Sequence, residues 1–389
     1  MRLVLLLTLC VGFLVFIPFG GVHALYVFSC AWPTSLSHDV VRALVISDMH
    51  LLGQRKRSLN DIRWTDWSLA TSFNIVTTWF QPDVVLNIGD ILDEGKRASR
   101  SQYQSYMQRT RAIFLRRKST SITETTETTE TTETTETIKI STSASATLST
   151  QNLPHYTVVG NHDVGWRFLN DVRMSSFTHD HNTPNGFFQI KNISFVRINS
   201  MALHPDAVKT PGGRQQRDEI DAMLATGQHV DVVLTHQPLY RMDDLHCGVE
   251  RQQDPIGGGV TFFPSKQKLL PDDDVVNQAY TNKILKQWTP RTVLSGHLHS
   301  VCRYQHTTEV QELTVPTFSW RMRPDAKYFL ISFEEDGTMK ARQCSLPNEH
   351  YFMVLTTVWI IAIILVGAKL ACFRNSNEVV AVAAVNKNM

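Results

Sequence analysis

Cysteine is scarce in this chain, six in 389 residues. Cys10 and Cys372 lie inside apolar runs and Cys30 beside the first of them, which leaves Cys247, Cys302 and Cys344 for the long stretch between. Their spacings do not match a zinc site. An oxidising compartment permits one disulfide among the three, and Cys302 with Cys344, both on predicted late strands, is the pairing expected. Charge is thin as well. Asp, Glu, Lys and Arg make up 19% of the chain, below the usual share of about 25%. The net charge is only +2, so the strong basic balance of a nucleic-acid binder is missing and no nucleic-acid partner is expected.

Apolar segments at both ends account for the charge deficit. "YFMVLTTVWIIAIILVGAKLACF" (351–373) has no polar face and is closed by Arg374. It is long enough to cross a hydrocarbon core about 30 Å thick, with Lys369 placed to snorkel to the interface. At the other end Arg2 precedes "LVLLLTLCVGFLVFIPF". Residues 1–32 read as a membrane anchor; a cleaved signal peptide is the alternative, since "VHA" (22–24) has the form of a cleavage site. Under either reading Arg2 stays cytosolic, residues 33–350 are lumenal, and residues 374–389 form a cytosolic tail. With the anchor uncleaved, both termini are cytosolic.

Between these segments, apolar β-branched runs alternate with helical spacing. Residues 41–48, 83–90, 155–161, 230–236 and 291–297 read as buried strands; 68–80, 101–118 and 275–288 read as helices. Residues 186–200 read as a hairpin turning at Lys191-Asn192. The pattern predicts an α/β domain with buried sheet. Residues 119–150 repeat Thr-Glu-Thr and hold almost no apolar side chains, which predicts a disordered insert between two strand–helix units, open to O-glycosylation.

Ligand-type residues close the buried strands. Asp48 and His50 follow the first, Gly89-Asp90 the second, Gly160-Asn161-His162-Asp163 the third, His236 the fourth, and Gly296-His297-Leu298-His299 the fifth. Ligands in α/β sheets gather at the carboxyl ends of strands. One such residue means little, because a lone histidine at a strand end is more often a capped or core residue. The ordered set is specific, and from about residue 43 to 300 the chain resembles the calcineurin-like metallophosphoesterases.

That resemblance implies a four-layer αββα sandwich, here flanked by an N-terminal and a C-terminal transmembrane helix, and a pair of divalent metal ions. Imidazole with carboxylate suits Mn, Fe or Zn better than Ca, and Mn is the expected metal. By motif position Asp48, His50 and His299 would hold one ion and Asn161, His236 and His297 the other, with Asp90 bridging. His162 would donate to a phosphoryl or leaving-group oxygen, and Asp163 would orient His162. "GDILDEGK" (89–96), "HQPLYR" (236–241) and "PTFSWR" (316–321) are similar to one branch of the family, the phosphodiesterases that remodel GPI anchors. The branch implies removal of ethanolamine phosphate from a GPI mannose in the ER, ER exit sites or Golgi. It also implies GPI-anchored proteins or GPI glycolipid as substrate, membrane lipid around the chain, and cargo-sorting partners. Arg241, Arg321 and Arg323 lie in branch-like segments and are expected to flank the anionic substrate, with plain surface exposure as the default reading for Arg323. A phosphoesterase for another phospholipid or a phosphoprotein is the alternative, as is a non-catalytic sorting protein. The tail "VAAVNKNM" (382–389) lacks a dilysine retrieval signal, and the Thr-Glu-Thr insert departs from the family pattern.

Overall fold

A computed structural model describes residues 20–35, 40–55, 57–114, 153–166, 169–181, 183–252, 254 and 273–386. Among the described residues, eleven strands form two mixed sheets. The first has five strands in the order β11-β10-β1-β2-β3: Met339–Ser345, Lys327–Phe333, Val41–Ile46, Val84–Asn87 and His155–Thr157. The second has six in the order β4-β5-β6-β7-β9-β8: Gly186–Ile190, Ile193–Ile198, Val232–Thr235, Thr292–Ser295, Gln311–Thr314 and Cys302–Gln305. β1, β2 and β3 run parallel, as do β5, β6, β7 and β9, while the edge strands β11, β4 and β8 pair antiparallel.

Strand side chains alternate between faces, and both faces are covered. Val41, Ala43 and Val45 of β1 join Phe195, Val232, Leu294 and Leu313 of the second sheet in one core between the sheets. Leu44 and Ile46 turn the other way and pack with Leu69, Phe73 and Val76 of the helix Leu59–Phe80. On the far side Val196, Val233 and Val293 lie in the same cluster as Ile220 and Leu224 of Pro211–Ala225 and Ile284 and Trp288 of Gln278–Trp288. Burial on both faces is why these strands read as continuous apolar runs. The helix expected over 68–80 starts earlier, at Leu59, because Ser58 and Asp61 form a capping box there.

Lys191 and Asn192 form the exposed turn between β4 and β5, with Lys191 at φ 50°. Asn192-Ile193-Ser194 is a glycosylation sequon at that turn. N-glycosylation is expected at Asn192, read as a gel shift on deglycosylation that Asn192→Gln removes. Absence of the shift would count against a lumenal placement of this turn.

Two sequence expectations are corrected. The disulfides are Cys30–Cys344 and Cys247–Cys302, not Cys302 with Cys344. Cys344 lies on β11 in the first sheet and Cys302 on β8 in the second, so the two strands belong to different sheets. Residues 20–32, assigned to the anchor, are part of the folded body: His23 and Val27 of the helix Gly21–Phe28 are buried, His23 among Trp67, Trp320 and Phe352. The apolar run continues past residue 19 because it packs on these aromatic rings. The anchor expected over residues 1–19 and the insert 119–150 lie outside the described residues. The C-terminal helix Glu349–Asn386 contains, over Glu349–Lys369, the one helix among the described residues long and apolar enough to cross a membrane.

Candidate metal centre

Parallel strands deliver the chemistry to one edge. β1 ends before Asp48, β2 before Asp90, β6 before His236 and β7 before His297; Asn161 opens the short helix Asn161–Val164 after β3. The backbone there is forced. Among the described residues eight non-glycine residues have positive φ, and five of them are Asp48 (52°), His50 (44°), Asp90 (50°), His297 (69°) and His299 (57°). Such left-handed conformations cost energy for residues with a Cβ and concentrate at functional sites. Two glycines make room: a Cβ at Gly160 would strike the Asp90 backbone and carboxylate, and one at Gly296 would strike Ser47 and lie 2.9 Å from the Asp48 carboxylate.

The seven expected metal ligands meet as two groups. In the first, His50 Nε2 and His299 Nε2 are 3.1 Å apart, and Asp48 Oδ1 lies 3.8 Å and 3.4 Å from them. In the second, His236 Nε2 is 3.3 Å from Asp90 Oδ2 and 3.1 Å from Asn161 Oδ1, and His297 joins the same cluster. Asp90 Oδ2 is also 3.6 Å from His50 Nε2, so this one carboxylate faces both groups. His236 Nδ1 lies 2.8 Å from the Ile88 carbonyl, to which its N–H donates, and Nε2 then presents a lone pair toward two oxygen acceptors. Asp48 Oδ1 is buried without a hydrogen-bond partner. Buried ring nitrogens and carboxylate oxygens converging this closely are what a cation satisfies, and this donor set fits one.

The electrostatics agree. Burial opposes charge on His50 and His236, yet Asp48, Asp93 and Asp90 draw His50 up to about 10, and Asp90 with Asp48 draws His236 up to about 9. Burial alone would raise Asp48 and Asp90; the surrounding histidines hold both well below the usual carboxylate range. The pocket attracts positive charge, and protons and metal ions compete for the same nitrogens.

His162 and Asp163 do not pair. His162 Nδ1 lies 2.6 Å from the Asp93 carbonyl, and its backbone N–H donates to Asp90 Oδ1 at 2.7 Å. The Asp163 carboxylate instead accepts from Leu92 N and Gly160 N, each at 2.9 Å. The orienting group expected of Asp163 is therefore the Asp93 carbonyl, because helical winding at Asn161–Val164 turns Asp163 inward onto the loop backbone. Burial pushes His162 down to about 4 and, with the nearby Asp90 charge, pushes Asp163 up to about 7.

Two of the three expected arginines, Arg241 and Arg323, are held by carboxylates of the scaffold. Arg241 is fully buried on Asp244, and Arg323 is buried between Asp254 and Asp325. A buried guanidinium needs carboxylate partners, and these serve the scaffold: Arg251, bound to the same Asp244, donates to Ser300 beside His299. Sequence reading missed two carboxylates. Asp93 Oδ1 is 3.6 Å from His50 Nδ1, and Asp274 Oδ1 is 3.4 Å from His297 Nε2. Asp93 follows Asp90 by three, a signal that was present in the motif; Asp274 belongs to an acidic run before a helix and carries none.

The profile of the calcineurin-like phosphoesterase family matches residues 41–301, which span all these strand ends. The chain belongs to this family. Such a match, with the dinuclear donor set in place, makes it a metal-dependent phosphoester hydrolase. Metallophosphoesterase 1 of Cricetulus griseus is 28% identical over 375 residues, covering 90% of this chain and 85% of that protein. Metallophosphoesterase 1 of Danio rerio is 27% identical over 383 residues, covering 91% and 89%. Among solved structures, a dimetal phosphatase from Danio rerio covers 80% of this chain and 100% of its own at 12% identity and a TM-score of 0.45, too loose a likeness to add to the argument.

In this phosphoesterase the Cys247–Cys302 bridge closes a loop of 55 residues just beyond His299. Cys247→Ser is expected to cost about 2–4 kcal/mol of stability. The check is denaturant unfolding, and metal titration should show weaker loading.

Proposed function

We propose that this protein is a two-metal phosphodiesterase that removes ethanolamine phosphate from a mannose of GPI anchors. The observation that carries the catalytic part is Asp90, a single carboxylate facing both ligand groups. Asp48, His50 and His299 would hold one ion; Asn161, His236 and His297 the other; manganese is the proposed metal. When bound, the ions would polarise the phosphoryl oxygens and offset charge on the attacking and leaving oxygens. His162, its Nδ1–H fixed on the Asp93 carbonyl, presents Nε2 to the site. In the diester reaction the mannose–oxygen-to-phosphorus bond breaks, water supplies the new oxygen on phosphorus, and a proton on His162 Nε2 passes to the mannose oxygen. The neutral ring lacks that proton, so donation requires the imidazolium, which an arriving phosphate favours.

The substrate assignment is supported by the branch-like segments around the site, by relatives named Metallophosphoesterase 1 along nearly the whole chain, and by the apolar helix Glu349–Lys369. A span at that point would keep the site near a bilayer, where a lipid-linked phosphodiester is reached without a long search. The protein would then work in membranes of the ER, its exit sites or the Golgi, with the catalytic domain lumenal, and meet cargo-sorting partners there. Cells lacking it should accumulate GPI-anchored proteins bearing one additional ethanolamine phosphate and export them more slowly. Glycan mass analysis reads this. An unchanged mass in the knockout, with the purified protein active on a generic phosphodiester, would reassign the substrate to another membrane phosphoester.

A further inference from the structure

Where the C-terminal helix leaves the catalytic domain it runs beside the start of the helix Leu59–Phe80, and the two enclose a groove of about 360 Å³. Its lining is apolar and aromatic: Trp64, Trp67 and Phe352 form the floor, with ring centroids 5.3 to 5.6 Å apart. Thr356 and Trp359 continue the lining along the C-terminal helix. Trp64 Nε1 donates to Glu349 at 3.2 Å, which fixes this indole at the junction. Arg63 stands exposed at the rim with no ion-pair partner among the described residues. None of these residues belongs to the metal centre.

Three observations name the occupant. The groove runs along the candidate span itself, with Phe352, Thr356 and Trp359 on one face of that helix lining it. Trp64 and Trp67 stand against Phe352 at the start of the span, where the chain would enter the bilayer, the level at which such rings collect. Arg63 adds an exposed cation to this apolar lining, a partner for a phosphodiester. A second copy of the chain fits poorly, since a stable protein interface takes roughly 20–30 residues a side and this groove offers far fewer.

We propose that the groove binds one bilayer phospholipid, an acyl chain lying along Trp64, Phe352 and Trp359 and the phosphate paired with Arg63. The lipid would wedge the span against the domain and so set how the catalytic edge faces the membrane. This rests on reading Glu349–Lys369 as a span, and is independent of the substrate assignment.

The test uses the full chain in nanodiscs of phosphatidylcholine, a fraction of it carrying a diazirine in one acyl chain. After photolysis, adducts should concentrate on the peptides containing Trp64, Phe352 and Trp359. Thr356→Trp, which fills the groove, should lower those adducts at least about fourfold, since each methylene excluded from an apolar site weakens binding by about that factor. Arg63→Ala should lower them about fivefold, the worth of one cation at a lipid surface. Unchanged melting temperature and metal content certify that both variants fold. Adducts spread evenly along the helix and insensitive to both variants would overturn the groove while leaving the span. Absence of adducts from the whole helix would overturn both. Two chains per disc with groove peptides unlabelled would give the groove to a second copy.

Discussion

Asp90→Asn is expected to lower phosphoesterase turnover at least about a thousandfold, because the charge it removes stabilises several kcal/mol of transition-state charge through the ions it would hold. Asp90 Oδ2 is within 3.6 Å of His50 Nε2 and 3.3 Å of His236 Nε2, so this carboxylate faces both groups at once. Asn keeps the shape and the hydrogen bond from His162 N to Oδ1, so the fold should survive. The check is metal content beside turnover on one preparation: at least one ion per chain should be lost. Wild-type turnover in the variant would sink the bridging assignment. In knockout cells this variant should also fail to restore the glycan mass.

His162→Ala is expected to cut turnover by about 10²–10⁴, the usual worth of a positioned acid or base, with metal content unchanged. The ring is anchored by the Asp93 carbonyl and not by a carboxylate. Asp93→Ala should therefore leave the orientation of His162 in place, though it removes the carboxylate beside His50. Asp163→Asn should act differently, through the Gly160 and Leu92 N–H groups, since an amide has one acceptor oxygen where two are in use. Loss of metal from His162→Ala would make that residue a ligand and refute its role as proton donor.

The order of ligand residues after apolar runs was enough to single out the seven side chains that the fold brings together, because buried parallel strands leave few polar positions and those fall at their ends. The same simplicity made the α/β class and the Lys191-Asn192 hairpin legible: burial on both faces removes polar residues from a strand, and a turn restores them. The C-terminal apolar helix could be read by length alone.

Pairing was not legible. Cys30 finds Cys344 across 314 residues, and Cys247 finds Cys302, because sheet order places them together, and nothing local encodes sheet order. The same reason hid Arg241 and Arg323, whose carboxylate partners make them scaffold and not substrate contacts. Spacing showed that His162 and Asp163 were adjacent. Only the helical turn at Asn161–Val164 decided that one ring meets the Asp93 carbonyl while the neighbouring carboxylate meets backbone N–H groups. The left-handed backbone at five ligand residues is likewise a tertiary fact, since strain of that kind persists only where surrounding packing imposes it. The sequence thus determined which side chains could do the chemistry; the packing of two sheets determined which of them touch.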